Sequence, residues 1–143
     1  MQINLKKLDE RAKIPTRGSE MAAGMDLYAL DTVTLEPGAT VLVHTGIALA
    51  IPEGYAGFIY ARSGLATKRS LAPANKVGVV DADYRGEIMV ALHNHGTVAQ
   101  TVDAGERVAQ MVVAPFLKVE FSETDTLDDT ARADGGFGST GKR

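Results

Sequence analysis

The stretch VLVHTGIALAI at residues 41–51 decides the fold class, because it alternates in the way a half-buried β-strand does. One face of this strand would carry a row of largely apolar side chains, namely Val41, Val43, Thr45, Ile47, Leu49 and Ile51. Turn-forming triplets bound it, with Glu36-Pro37-Gly38 before it and Pro52-Glu53-Gly54 after it. The sequence therefore predicts one long strand between two turns.

Shorter stretches of similar pattern lie on either side of this strand. They predict strands within residues 1–8, 55–60, 88–92, 98–102 and 108–116, and one short helical turn at residues 63–68. Residues 20–30 fit either a weak helix or a loop that enters a short strand at residues 26–29. Many short strands with Gly/Pro turns, and no long amphipathic helix, indicate an all-β sandwich or barrel.

Length and composition exclude several classes of function. The chain has 143 residues, 45% of them hydrophobic and 23% charged, which is typical of one globular domain. A net charge of −3 argues against a nucleic-acid-binding surface. The absence of cysteine excludes disulfides, thiol catalysis and cysteine metal sites. No apolar run has the length of a signal peptide core or a membrane span, so we expect a cytoplasmic protein that binds no membrane.

The stretch NKVGVVDADYRGE at residues 75–87 is the first candidate for chemistry. Its apolar run predicts a buried strand that enters a tight turn, as the first half of a hairpin. Asp81 would end the strand and Asp83 would lie in the turn, and we expect their side chains to point to opposite faces. One carboxylate could then serve as a general base, the pair could bind a divalent ion, or both could simply favour the turn.

Polar residues in two other stretches leave a similar choice open. In ARSGLA, Arg62 could fork onto phosphate oxygens beside the hydroxyl of Ser63 and the backbone of Gly64, or it could be a solvated arginine. Gln110 is expected to share a strand face with Val108, and a polar group in an apolar row needs a backbone or ligand partner.

The remaining polar candidates are less specific. His93 and His95 could form a metal pair, but hydrogen-bonded or interface histidines are the favoured interpretation. Residues 122–134 are acidic and polar, which is typical of a solvated tail. The GGFGSTG that follows offers backbone amides, two hydroxyls and one aromatic ring to a phosphate. Its glycine spacing also matches the dinucleotide fingerprint, which we exclude because no strand precedes it and two residues cannot form the helix after it.

The order of these motifs carries more information than any one of them. AAGMDLYA, ARSGLA, NKVGVVDADYRGE, GERVAQM and RADGGFGSTG together resemble the five ordered motifs of the trimeric dUTPases, from about residue 22 to 141. The resemblance implies a jelly-roll-type β-barrel and a homotrimer whose active sites are each shared by three subunits. It also implies that residues 1–117 form the catalytic domain and residues 118–143 an arm that closes over a neighbouring subunit's site.

The resemblance also assigns the reaction and the nucleoside site. The family hydrolyses dUTP to dUMP and pyrophosphate, which limits uracil in DNA and supplies dUMP for dTMP synthesis. Asp81 would activate the water that attacks the α-phosphorus. Tyr84 would exclude a 2′-hydroxyl. The uracil and deoxyribose would be held by the residues Asn75, Gly78, Val79, Val80, Tyr84 and Met89, with Phe137 stacked on the base.

The triphosphate would lie on a separate set of residues, by the same resemblance. These are Arg62, Ser63, Gly64 and Gln110 from the body of the chain, and Arg132, Gly138, Ser139 and Thr140 from the arm. Mg²⁺ would be carried by the phosphates, and Asp26 would meet it only through water, in keeping with the ion's preference for phosphate oxygens and water.

Three positions depart from the family pattern. Ala61 replaces a common proline, and we expect a looser turn there. Ala133 replaces a common glycine, and it would be strained if the position needs a positive φ. Lys76 replaces a small or apolar residue, and we expect its side chain to point to solvent.

Other functions of the same fold remain as alternatives. They are a dCTP deaminase, a bifunctional deaminase–dUTPase and a non-catalytic nucleotide-sensing module. Ammonia release from dCTP would identify either kind of deaminase. The intact Asp81, Gln110 and Arg132 argue against a module that has lost catalysis.

Overall fold

The structure is a computed structural model that describes residues 1–136. These residues form eleven strands and one helix: β1 (Asn4–Lys7), β2 (Thr16–Arg17), β3 (Met25–Tyr28), β4 (Val33–Leu35), β5 (Thr40–Ala50), β6 (Tyr55–Tyr60), α1 (Ser63–Arg69), β7 (Leu71–Pro73), β8 (Gly78–Val80), β9 (Glu87–Asn94), β10 (Gln100–Val102) and β11 (Arg107–Pro115). A strand at Met25–Tyr28, entered from a loop, therefore replaces the predicted strand at residues 26–29 with a shift of one residue, and the helical alternative for that segment is wrong.

Two main sheets face each other across the core. One has the order β1-β5-β9-β7 and the other the order β2-β3-β11-β6-β8, while β10 and β4 form a separate pair. Every pairing among the described strands is antiparallel. This is a jelly-roll-like β-sandwich, which confirms the all-β, jelly-roll prediction.

The core is built from the inward faces of these strands. β9 alternates strictly, with Ile88, Val90 and Leu92 buried between half-buried neighbours, as predicted from the sequence. Asn94 continues this buried row and is fully satisfied, because its amide donates to the Leu35 and Val98 carbonyls and accepts from the Gly96 N–H. The amide thus ties the end of β9 to the turn after it.

The long strand β5 departs from simple alternation at Gly46. From His44 to Ala48, β5 advances four residues while its partner β9 advances two, from Met89 to Glu87. Gly46 has a φ of +69°, and a Cβ there would lie 2.9 Å from the Cβ of Ala12. This bulge bends the strand, so residues 45–49 are all buried. The sequence predicted one buried face for β5, whereas both faces are buried in this segment.

The predicted hairpin around residues 75–87 is wrong. β8 pairs with β6, whereas β9 pairs with β5 and β7 in the opposite sheet. Residues 81–86 therefore carry the chain from one sheet to the other. Alternation of side chains specifies which face of a strand is buried but not which strand it pairs with, so the sequence pattern could not distinguish a hairpin from a crossover.

The described segments outside the sheets contain little regular structure. Among residues 1–136, α1 is the one helix, and its seven residues are too few to cross a membrane. β11 ends at Pro115, and the chain from there to residue 136 contains no helix or strand.

Candidate active site

A cleft of about 280 Å³ opens where β8 runs into the crossover. It is lined by a set of residues that includes Asn75, Gly78, Val79, Val80, Asp81, Tyr84 and Met89. The apolar run before Asp81 is only partly buried, because Val80 is 7% exposed whereas Val79 is 61% exposed and Val77 is 39% exposed. The prediction of a buried run is therefore wrong for Val77 and Val79, and Val79 instead presents an apolar surface to the cleft.

The crossover has its own internal hydrogen bonds. The Tyr84 N–H donates to the Asp81 carbonyl at 3.2 Å, and the Arg85 guanidinium donates to the Ala82 and Tyr84 carbonyls at 2.6 and 2.9 Å. The Tyr84 hydroxyl donates to the Glu87 carbonyl at 2.9 Å. A Cβ on Gly86 would lie 2.4 Å from that hydroxyl, so the ring position requires glycine. These contacts hold Tyr84 against one wall of the cleft.

Glu87 joins this wall to the bulge of β5. Its carboxylate accepts from His44 Nδ1 and from the Gly46 N–H, both at 2.8 Å. Burial acts to raise the pKa of Glu87, but the His44 hydrogen bond and the Gly46 amide outweigh it and lower the pKa below the ordinary 4.5. Glu87 is thus ionised at neutral pH and holds the start of β9 in place. Sequence reasoning assigned it no role, because the contact depends on the bulge.

Asp81 lies at the edge of this cleft and is exposed. It also lines a second, wider cleft of about 680 Å³, where it lies near Asp83, Arg85 and Lys118. Asp83 lines only the second cleft. Both carboxylates border the second cleft, which gives no support to the prediction that they point to opposite faces, and Asp81 alone also borders the cleft with Tyr84.

A separate cleft of about 380 Å³ collects cationic and polar groups. Its lining consists of Gly18, Ala22, Gly24, Asp26, Arg62, Ser63, Gly64, Arg107 and Gln110. Asp26 is 9% exposed and accepts from Arg62 Nε at 2.7 Å and from Arg107 Nη1 at 3.3 Å. The solvated-arginine alternative for Arg62 is therefore wrong, because a buried carboxylate holds its guanidinium at the cleft.

The Gln110 side chain is positioned by a backbone carbonyl, and it occupies space that is free because Gly24 has no side chain. Its Nε2 donates to the Ala61 carbonyl at 2.9 Å, and a Cβ on Gly24 would lie 2.3 Å from its Oε1. The expected row with Val108 does not form, because a register shift between Arg107 and Ala109 makes Val108 a bulge. Gln110 consequently faces the cleft rather than the apolar core.

Asp81 and Arg62 lie toward opposite ends of β6. Val80, just before Asp81, pairs with Gly57 near the start of β6, whereas Arg62 follows its end. Arg62 is five positions beyond Gly57, which corresponds to roughly 16 Å of extended chain. Among residues 1–136, no side chain lines both the cleft with Tyr84 and the cleft with Arg62. One chain therefore presents the two groups of predicted site residues on separate surfaces.

Comparison with known proteins gives the family. The family model described as dUTPase matches residues 10–141, which is nearly the whole chain. The chain belongs to the dUTPase family.

Relatives and solved structures agree with this assignment. The deoxyuridine 5'-triphosphate nucleotidohydrolase of Desulfitobacterium hafniense (strain DSM 10664 / DCB-2) is 51% identical over 136 residues, covering 93% of this chain and 90% of that protein. The one of Hydrogenobaculum sp. (strain Y04AAS1) is 47% identical over 144 residues and covers both chains fully. A variant of the dUTPase of Staphylococcus bacteriophage 80alpha, solved with dUpNHpp, superposes with a TM-score of 0.92 at 27% identity over 98% of each chain.

The donor groups of this dUTPase fit a metal that arrives with its substrate. Among residues 1–136, no three His, Cys, Asp or Glu side chains lie together as a metal site. Each oxygen of Asp26 accepts one arginine hydrogen bond and retains a lone pair that could accept from a metal-bound water. One such carboxylate beside a cationic cleft suits Mg²⁺ held by phosphates and water, and does not suit an all-protein cage.

The histidine pair of this dUTPase is explained by local contacts. The rings of His93 and His95 lie edge to face, 4.4 Å apart, and His93 Nδ1 is hydrogen-bonded to Thr40 Oγ1 at 2.8 Å. The pKa of His95 is lowered, first by loss of solvation and then by electrostatic repulsion from His93 and Lys76. The Thr40 contact of His93 agrees with the favoured interpretation of hydrogen-bonded or interface histidines.

The structure bears on two of the three positions that depart from the family pattern, Lys76 and Ala133. Lys76 is exposed, with a φ of +64°. Ala133 has a φ of +45°, the conformation in which alanine is strained and glycine is not. Arg132 is exposed and its Nε donates to the Gly135 carbonyl at 2.9 Å. The predicted arm residues Phe137, Gly138, Ser139 and Thr140 lie outside the described residues.

Proposed function

We propose that this protein hydrolyses dUTP to dUMP and pyrophosphate. The observation that carries the proposal is the cleft in which Asp81, exposed to water, borders a pocket walled by Tyr84, Val79 and the backbone of Gly78. The relatives named deoxyuridine 5'-triphosphate nucleotidohydrolase support the same reaction. Such an activity limits uracil in DNA and supplies dUMP for dTMP synthesis.

The base and the sugar would be selected in this first cleft. Asn75 and the backbone of β8 present hydrogen-bonding groups, and Met89 contributes to the opposite wall. A wrong base would leave buried polar groups unpaired, at about 1–3 kcal/mol each. Tyr84, fixed by its hydroxyl bond to the Glu87 carbonyl, would pack on the deoxyribose and leave no room for a 2′-hydroxyl.

Asp81 would act as the general base. Its carboxylate, free of a side-chain partner among residues 1–136, would accept a proton from a water molecule as that water attacks the α-phosphorus. The bond from the α-phosphorus to the bridging oxygen breaks, and pyrophosphate leaves. Phosphoryl transfer relies mainly on positioning and on neutralising negative charge.

The phosphates would lie on the second group of residues, in the cationic cleft. Arg62 can fork onto phosphate oxygens because Asp26 holds its Nε and leaves its two terminal nitrogens for a ligand. Ser63 and Gly64 lie open, since a Cβ on Gly64 would meet nothing within 4 Å. Mg²⁺ bound to the phosphates, and meeting Asp26 through water, would neutralise part of the triphosphate charge.

We propose a homotrimer with shared sites, because one chain separates the two clefts. The nucleoside cleft of one subunit would face the phosphate cleft of another at the subunit interface. In the third subunit, residues 118–143 would form the arm, with Arg132, Gly138, Ser139 and Thr140 on the phosphates and Phe137 on the uracil. Such a glycine-rich arm acts as a lid that excludes water.

The arm proposal predicts the effect of a truncation. A chain that ends at Asp134 should lose dUTP turnover and keep its melting temperature, because β11 ends at Pro115 and no described strand lies beyond it. A fully active truncated protein would contradict the lid.

The experiment that tests the reaction measures pyrophosphate release with Mg²⁺ from dUTP, dTTP, dCTP and UTP side by side. We expect turnover of dUTP alone and its loss in Asp81→Asn, which keeps the shape of the side chain and removes the base. Ammonia release from dCTP in the same series would instead identify a deaminase. Binding of dUTP without turnover of any nucleotide would identify a sensing module.

A further inference from the structure

The phosphate cleft contains a second arginine to which neither sequence motif nor comparison assigned a role. Arg107 lies at the start of β11 and lines the cleft together with Arg62, Ser63, Gly64 and Gln110. We propose that Arg107 binds the phosphate chain of the substrate directly, as a second guanidinium beside Arg62. The identity of the substrate, dUTP, depends on the proposed function. The binding of a polyphosphate by Arg107 does not depend on it.

A bulge aims Arg107 into the cleft. Side chains three residues apart in a regular strand point to opposite faces, so Arg107 and Gln110 should not share one. Against β3, however, Arg107 pairs with Tyr28 and Ala109 with Leu27, so Val108 is an extra residue in the ladder. Val108 and Ala109 are consequently both buried, at 1% and 0% exposure, and Arg107 and Gln110 both reach the cleft.

The charges in the cleft leave Arg107 available for a ligand. Asp26 is the one acid among the lining residues and it faces two arginines, so the lining carries two positive charges and one negative, a net charge of +1. Arg62 takes the shorter contact with Asp26, at 2.7 Å, whereas Arg107 makes a single contact at 3.3 Å. The Arg107 side chain is 50% exposed, against 25% for Arg62. It can therefore turn its remaining donors to an anion without leaving Asp26 unpaired.

The neighbouring acid does not compete for Arg107. Glu106 is held by Arg69, whose Nη1 donates to its Oε1 at 2.5 Å, and its Oε2 accepts from the Asp103 N–H. Lys13 lies near this end of β11 as well, with its Nζ donating to the Gly105 carbonyl. The Glu106 carboxylate is therefore engaged by Arg69 and by the Asp103 N–H and does not pair with Arg107.

The test uses inorganic tripolyphosphate as the probe, because it has neither base nor sugar. Its affinity for the full-length protein would be measured calorimetrically for wild type, Arg107→Gln and Arg107→Lys. Arg11→Gln removes the same charge from an exposed arginine that lines neither cleft and serves as the control. Losing one charged hydrogen bond should weaken binding roughly 10- to 100-fold in Arg107→Gln. Arg107→Lys should lose less, and Arg11→Gln should bind like wild type.

A second comparison separates direct binding from support of Asp26. If Arg107 touches the phosphate, Arg107→Gln weakens tripolyphosphate binding by a similar factor in an Asp26→Asn background. If it acts only by holding Asp26, the double variant binds no more weakly than Asp26→Asn alone, and the proposal is overturned. Should Arg107→Gln fail to fold, Arg107→Met keeps the apolar stem and removes the charge, and wild-type affinity with a wild-type dependence of binding on salt in that variant would overturn the proposal.

The outcome does not depend on the reaction. A wild-type protein that binds tripolyphosphate through Arg107 but leaves dUTP intact would retain this inference and refute the proposed function. If the wild-type protein hydrolyses dUTP, and the Arg107→Gln variant has the wild-type KM and the wild-type affinity for tripolyphosphate, the proposed function is retained and this inference is refuted.

Discussion

At the scale of single residues, this site depends on a glycine, because a neighbouring functional side chain needs the space that a Cβ would fill. Gly24 belongs to AAGMDLYA, the first of the five motifs, yet it carries no chemistry. Its role is to leave room for the Gln110 amide, which would otherwise collide with a Cβ at 2.3 Å. The position of the Gln110 side chain on β11, which we propose binds phosphate, thus depends on a glycine beside β3.

Gly24→Ala should therefore impair activity more than stability. The added methyl group displaces a flexible amide from the Ala61 carbonyl, and we expect KM for dUTP to rise roughly tenfold with little change in melting temperature. Gly18→Ala is the matched control, since Gly18 lines the same cleft and a Cβ there meets nothing within 4 Å. Equal KM values for the two variants would show that the contact with Gln110 is unimportant.

At the scale of secondary-structure elements, two bulges shape the site. The one in β11 brings Arg107 and Gln110 to the same cleft, and the one in β5 places His44 and the Gly46 amide against Glu87. Both interrupt strands that their sequence patterns show as continuous. Bulges of this kind commonly redirect side chains next to functional sites.

The β5 bulge should be sensitive to a side chain at Gly46. Gly46→Ala combines a left-handed backbone, which costs roughly 1–2 kcal/mol, with crowding against Ala12 that should cost about 1 kcal/mol more. Gly38→Ala isolates the first effect, because its φ is +77° and nothing lies near its Cβ position. Urea unfolding at one fixed protein concentration would compare them. Equal losses of unfolding free energy would contradict the crowding at Gly46.

Glu87 should make the stability of this bulge depend on pH. Because its folded pKa lies below the ordinary 4.5, the ionised carboxylate stabilises the fold above that pH, and the contribution is lost as pH falls through the folded value. The difference in unfolding free energy between wild type and Glu87→Gln should therefore be constant near neutral pH and shrink below pH 4.5. The same difference measured in a His44→Asn background should depend less on pH, and an unchanged dependence would refute the role of His44.

At the scale of the whole molecule, the division of the site between two ends of β6 has the largest consequence. A single chain cannot place Asp81 and its own Arg62 on the same phosphate group if they lie roughly 16 Å apart. In the proposed trimer, a second copy would supply the missing half, and activity would then depend on subunit association.

Mixing of inactive subunits tests this division. Asp81→Asn and Arg62→Gln should each be nearly inactive alone. After co-refolding in equal amounts, random assortment should leave roughly a quarter of the sites with both native residues, and activity should return to about that fraction. A mixture as inactive as its components would show that Asp81 and Arg62 of one chain serve the same site.

Much of the fold and part of the site were determined by the sequence alone. The alternation of β9 and the turns around β5 predicted an all-β sandwich or barrel, because periodicity is a local property of the chain. The resemblance of the five ordered motifs to the dUTPases implied the jelly roll and the roles of Asp81, Arg62 and Gln110. The tertiary structure alone decided that β8 and β9 belong to different sheets, that bulges interrupt β5 and β11, and that Arg107 enters the phosphate cleft. These features depend on which strands pair and in what register, and pairing is settled by contacts between residues far apart in sequence.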